Sequence, residues 1–214
     1  MGRYPLGLTF DRYRELLDGD ARRAVQVAPS GLDREVPRCP GGTGADAAYH
    51  LATVYLHKAA AIRDGTMPGP TSPGGWPPAD LHDLPAPERL AAAYAALTEQ
   101  FDAHEPSDPT HTWWPEDQSV GFWIRRMAHE TSIHRLDLEG AAGEKVSLSP
   151  IDPLLAVDGI DEVLTLMLAG DWSDEPHPQA SGRTVELATA GQVWAVTLDP
   201  EQVTVTRAAA DDAA

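Results

Sequence analysis

The chain has 214 residues, 42% hydrophobic and 23% charged, a composition ordinary for a globular protein and long enough for a sizeable buried core. Its 33 acidic against 16 basic residues give a formal net charge of −17, which leaves no basic footprint for nucleic acid or an anionic membrane. No apolar run approaches the roughly 18 residues of a membrane span, and the N-terminal stretch lacks an apolar signal core. The single cysteine, Cys39, excludes an internal disulfide, so the expectation is a protein of the reducing cytoplasm. Fourteen arginines against only Lys58 and Lys145 fit a GC-rich bacterial genome.

The first helix is expected over 9–27, with Thr9 as its cap and Phe10, Tyr13, Leu17 and Ala24 near one stripe. Residues 28–42 form a turn-rich strap. Thr43 and Asp46 have the spacing of a capping box and open a second helix that runs to about Arg63, stopped by Gly65. Residues 66–87 hold seven prolines and three glycines, the composition of a long irregular loop. Leu90, Tyr94, Leu97 and Phe101 mark a third helix, with Pro87 near its first turn. A second connection, 105–117, carries the pair Trp113-Trp114, which either caps a core or walls a substrate pocket. The fourth helix is expected from about Gln118 to Glu139, ending at Gly140.

Four helices in this span make a bundle the natural architecture. After a linker the pattern changes: Ile151, Leu154, Leu155, Val163, Leu164, Met167 and Leu168 mark a fifth amphipathic helix, begun by Ser149-Pro150. Three period-2 segments follow, Thr184–Ala188, Gln192–Leu198 and Gln202–Arg207, joined by short loops as an antiparallel meander. The fold class is therefore α+β, with a four-helix bundle over 1–142 and a small domain of one helix on a three-stranded sheet over 143–214. Its tail, 208–214, is expected to fray.

The chemistry concentrates in Trp123 to Asp137, WIRRMAHETSIHRLD. Glu130 and His134 are four residues apart, so on a helix both leave one face a turn apart and can grip one divalent ion. The alternative is an ordinary Glu/His pair on a solvated face. His129 makes the window look like the HExxH zinc motif, but that motif needs histidines four apart, and His129 and His134 are five apart. A third ligand must come from elsewhere. His50 and His57 of the second helix lie on nearly one face but about 10 Å apart along its axis, so only one of them can meet a given ion. His50, among Ala47, Leu51 and Val54, is either a hydrogen-bonded core histidine or the third donor of a His2Glu site with an open position.

Two segments, LDREVPRCPGGTGADAAYHLATVYLHKAA and FWIRRMAHETSIHRLDLE, resemble the two hallmarks of the mycothiol-dependent maleylpyruvate isomerase family, within the DinB/YfiT-like superfamily of metal-binding bundles. That family reads roughly VP-x-CPGWTVADL-x-x-HLA and then RR-x-AHE-x-x-x-HR-x-D. The stretch GRTVELATAGQVWAVTLDPEQVTVTR is similar to the family's C-terminal domain. By position the resemblance puts His50, Glu130 and His134 on the family's metal triad. There are two departures: Gly42 precedes Thr43 where the family has tryptophan, which removes a wall of the pocket, and Tyr49 precedes His50.

The resemblance implies a divalent metal, zinc before nickel, and a low-molecular-weight thiol, mycothiol in actinobacteria, as co-substrate. A thiol with an ordinary pKa near 8.5 is favoured as thiolate beside zinc. That thiolate can add to an activated double bond and leave again, giving cis/trans isomerisation, or be transferred to an electrophile. Cys39, by the same resemblance, is structural. An anionic small-molecule substrate needs a cation. Arg207 continues the Val203–Val205 face of the last strand and either snorkels at the strand end as a surface arginine or serves as the substrate cation, the role for which the resemblance suggests it, with Arg183 second. Arg126, four residues before Glu130, is the best-placed arginine of the bundle. Asp137 either orients His134 or pairs with Arg126 or Arg135. The expectation is an isomerase or thiol transferase, a monomer or homodimer, acting on a small electrophilic or unsaturated metabolite. The alternatives are a metalloenzyme of specialised metabolism without a thiol and a protein that sequesters a small molecule.

Overall fold

A computed structural model describes residues 7–69, 76–78, 83–143, 146–174, 176 and 179–209. The chain divides into two units, Met1–Ile151 and Asp152–Ala214.

In the first unit the helices are α1 (Phe10–Val27), α2 (Gly44–Asp64), α3 (Ala86–Ala103) and α4 (Val120–Ala142). Their starts follow from local chemistry. The Thr9 hydroxyl accepts from the Arg12 amide, and Ser119 does the same for Phe122. Thr43 and Asp46 close a reciprocal capping box, and Gly65, at φ +66°, ends α2 in the left-handed conformation that suits glycine. Helix α1 lies against α4 and α2 against α3, while α2 also contacts α4 and α1 contacts α3, which closes a four-helix ring. Tyr13, Leu17, Leu51, Tyr55, Leu90, Leu97, Phe101, Trp123, Ile124 and Met127 fill its centre.

The strap from 28 to 43 is pinned at both ends. Arg34 donates to the Ala142 carbonyl at 2.7 Å, at the C-terminus of α4, where a cation is favoured. A Cβ on Gly44 would come within 2.3 Å of the Gly31 carbonyl oxygen, and one on Gly31 within 2.5 Å of the Ala141 backbone. Helix α2, strap and α4 therefore meet backbone to backbone. The connection before α4 is also ordered: the amides of Val120 and Gly121 donate to the carbonyls of Asp108 and Pro106.

Beyond α4 the chain is still bonded to the bundle at Ser149. The Ser149 amide and hydroxyl donate to Glu139 at 2.9 and 3.0 Å, and Arg135 donates to the Ser149 carbonyl at 2.6 Å.

In the second unit α5 (Pro153–Glu162) starts at Asp152, whose carboxylate accepts from the Leu154 and Leu155 amides; it does not start at Ser149-Pro150. It continues through Val163–Leu168 in wider turns, with the Ala169 amide donating to the Leu164 carbonyl five residues back. The sheet has four strands, not three, in the order β1-β4-β3-β2: β1 (Gly170–Asp171), β2 (Arg183–Thr189), β3 (Gln192–Leu198) and β4 (Gln202–Ala209). Two residues carry no periodicity, so β1 was invisible in the sequence. Ala190 and Gly191, both at positive φ, make the two-residue β2–β3 turn that matches strand twist. Of the tail expected to fray, Ala208 and Ala209 pair with Val193 and Gln192, and 210–214 lie outside the described residues.

Candidate metal centre

Helix α4 places Trp123, Arg126, Glu130 and His134 within about 80° of one another around its axis, as 3.6 residues per turn requires of these positions. Helix α2 runs antiparallel along this stripe: His50 meets Glu130, Tyr55 meets Thr131 and Lys58 meets Trp123.

At one end, Glu130 Oε1 stands 3.1 Å from His50 Nε2 and 3.2 Å from His134 Nε2. The two imidazole rings lie 4.7 Å apart, and the donor atoms of His50, Glu130 and His134 all fall within 4.8 Å of one another. The structure thus brings together the three residues that the sequence singled out. His50 is half exposed, whereas Glu130 and His134 are nearly buried, so the cluster opens on the His50 side. The other carboxylate oxygen of Glu130 accepts from Arg126 Nη2 at 2.6 Å, and the Arg126 side chain is mostly buried. His129 is turned away, against the Tyr13 ring of α1.

His134 Nδ1 stands 3.0 Å from the buried carboxylate of Asp137. Asp137 therefore takes the orienting role and not the arginine pairing. Arg126 is directed to Glu130, and Arg135 lies 2.9 Å from both Asp20 and Glu139. Burial pushes the Glu130 carboxyl up, but hydrogen bonds from His134 and His50 and the charge of Arg126 outweigh it and hold the group well below the usual range. Burial pushes His134 down, and its bonds to Asp137 and Glu130 overcome that and raise it to about 9.

These features fit a divalent ion. Two imidazole nitrogens and one carboxylate oxygen converge, and the second nitrogen of one histidine is fixed by a carboxylate, as metal-bound histidines usually are.

At the other end of the stripe is a group that sequence reasoning passed over. Lys58 Nζ lies 4.5 Å above the Trp123 ring and 3.1 Å from His57 Nδ1. It makes no ion pair among the described residues. Burial, with a smaller contribution from Arg126, outweighs the attraction of Glu130 and lowers Lys58 to about 8. Burial, then Lys58, lowers His57 to about 4, against a hydrogen bond to the Pro68 carbonyl. The His57 ring also meets Trp76 edge-on at 5.0 Å. Trp113, largely exposed, leads inward through Phe122 to Trp123, and Trp123 Nε1 donates to the His111 carbonyl.

The other candidates lie elsewhere. Cys39 is exposed in a turn of the strap. In the C-terminal unit Arg207 pairs with Asp161 through both Nε and Nη2, and Trp194 Nε1 donates to the same buried carboxylate at 3.0 Å. Arg183 is exposed at the start of β2, opposite Leu198. Among the described residues, no helix is long and apolar enough to cross a membrane.

No curated protein and no solved structure matches the chain. A family model does: that of the mycothiol maleylpyruvate isomerase N-terminal domain matches residues 14–139, from the first turns of α1 to the end of α4. The match covers more than half of the chain and includes His50, Glu130 and His134, so the chain belongs to the family of the mycothiol maleylpyruvate isomerase N-terminal domain.

Proposed function

We propose that the protein is a divalent-metal-dependent isomerase or thiol transferase that acts on a small electrophilic or unsaturated metabolite with mycothiol as co-substrate. The observation that carries this reading is the convergence of His50, Glu130 and His134 in the family-matched segment, with His134 oriented by Asp137. His50, Glu130 and His134 would hold the ion, zinc by the chemistry of the donor set. When bound, such an ion favours the thiolate form of a nearby thiol.

The chain's own residues do the rest. Arg126 donates to Glu130 Oε2 and so leaves Oε1 facing both histidine Nε2 atoms. Asp137 sets the tautomer of His134, keeping Nε2 toward Glu130. In isomerisation, the thiolate sulfur bonds one carbon of the double bond and the electron pair moves onto the activating group. After rotation the pair returns, the C–S bond breaks and the thiolate leaves unchanged. In transfer, the C–S bond persists and a proton or leaving group completes the balance. Arg207 as a substrate cation requires it to exchange Asp161 for a substrate anion.

A second reading, a metalloenzyme on this scaffold that uses no thiol, is favoured by Gly42, which stands where the family has tryptophan. Calorimetry of the zinc-loaded protein with mycothiol separates the two. Saturable heat that disappears when Glu130 and His134 are replaced supports the thiol enzyme, and absence of binding sinks it in favour of the second reading. We also propose that the protein is cytoplasmic and a monomer or homodimer.

A further inference from the structure

Lys58 is an unusual residue for its position. A lysine ammonium is strongly hydrated and almost never buried unless paired. Here it is largely withdrawn from water, rests on the face of Trp123, donates to a neutral His57 and has no carboxylate partner among the described residues. A cation–π contact and one neutral hydrogen bond offset only part of the desolvation of a charge. An anion seated beside Nζ would supply the rest.

Its distance from the metal triad is given by two rulers. Lys58 follows His50 by eight residues on α2, about 12 Å of axial rise. Trp123 precedes Glu130 by seven residues on α4, about 10 Å. The two helices run antiparallel, so the measures coincide: the ammonium stands on the order of 10 Å along the same face from the triad. Between the two, Arg126 adds positive potential, although its hydrogen bond is made to Glu130. In a chain of net charge −17, this is a local positive end on an otherwise unfavourable field.

We infer that Lys58 is a substrate-binding residue that holds a carboxylate or similar anionic group at the Trp123 end of the α2–α4 face, while the reacting end of the substrate lies at His50, Glu130 and His134. This rests on the proposed metal-dependent function for the identity of the far end, but the anion subsite itself is defined by Lys58, His57 and Trp123. It selects elongated substrates with a charged terminus over short or neutral ones.

The probe is adipate against hexanoate, a dicarboxylate and a monocarboxylate of equal chain length, titrated calorimetrically into the zinc-loaded protein. Adipate is expected to bind about tenfold tighter, the size of a good charge-assisted contact. Lys58→Met should abolish that preference and Lys58→Arg should retain most of it, with zinc content unchanged in both. A preference that persists in Lys58→Met, or none in the natural protein, overturns the inference. A second readout uses the chain's only other lysine, Lys145, as internal reference. Adipate should slow acylation of Lys58 relative to Lys145 in the natural protein, with zinc and after its removal by chelation. A Lys58 to Lys145 acylation ratio that adipate leaves unchanged also overturns it. Elemental analysis keeps the two ideas apart: zinc that fails to bind sinks the metal-dependent function, whereas the acylation ratio reports on Lys58 alone.

Discussion

The Asp137 carboxylate lies 3.0 Å from Nδ1 of His134, one turn along α4, and so directs the opposite nitrogen at Glu130. Removing its charge while keeping its shape should loosen that hold. Asp137→Asn is expected to lower zinc affinity by about tenfold to a hundredfold. A competition titration with a chromogenic chelator measures it, and unchanged affinity would mean that His134 needs no orienting partner.

The donors themselves have a simpler test. Replacing Glu130 and His134 together by alanine should abolish bound metal in elemental analysis and leave the far-ultraviolet helix signal largely intact, because His50 alone makes no site. His129→Ala should retain the metal, since that ring packs on Tyr13. Full metal retention by the double variant would refute the centre.

Lys58 gives a pH dependence whose sign is fixed. The groups facing it are His57 on α2, neutral above about pH 4, Glu130 on α4, held ionised across the neutral range, and the Arg126 guanidinium beside it. The lysine itself loses its proton near 8 instead of 10.5, so adipate affinity should be full below pH 7 and fall as pH rises through about 8. Lys58→Arg should show no such fall in that window, which separates the lysine from other titrations. For folding, the native state binds fewer protons than the unfolded chain between about 8 and 10.5, so Lys58 makes stability rise with pH there.

The bundle also rests on a buried charge cluster. Arg135 and Glu139 have no side-chain exposure, and Arg135 stands 2.9 Å from both Glu139 and Asp20. Arg135→Met leaves buried carboxylates short of a cation, and the expected loss is about 3–5 kcal/mol in urea unfolding. Repacking of the site with water would show as a loss below about 1 kcal/mol.

Much of this was legible in the sequence because it is local. The Thr43–Asp46 box, the Gly65 stop and the i,i+4 pairing of Glu130 with His134 depend on neighbours within one turn, and the helix period makes them readable. The place of Asp137 was not, because three partners lay within reach, and the distant Asp20, together with Glu139 one turn on, settles where Arg135 goes. Lys58 was missed for the same kind of reason. Nothing in α2 reveals that it lies antiparallel along the stripe of α4, and without that Lys58 and Trp123 are unrelated residues. Strand β1 and the wide turns after α5 arise from packing at the sheet edge and helix end, where no sequence period survives.

The close approach of Gly44, Gly31 and Ala141 acts as a gauge for the whole centre. His50 lies six residues beyond Gly44 and His134 seven before Ala141, so backbone-to-backbone contact through the strap fixes the two ligand-bearing helices within about 10 Å of both histidines. Side chains at that contact could flex and let the helices drift; bare backbone has no such play. The spacing between His50 and His134 is thereby machined by the strap rather than by whatever ion or substrate arrives, and a single methyl group inserted at Gly44 would spread the jaws at their pivot.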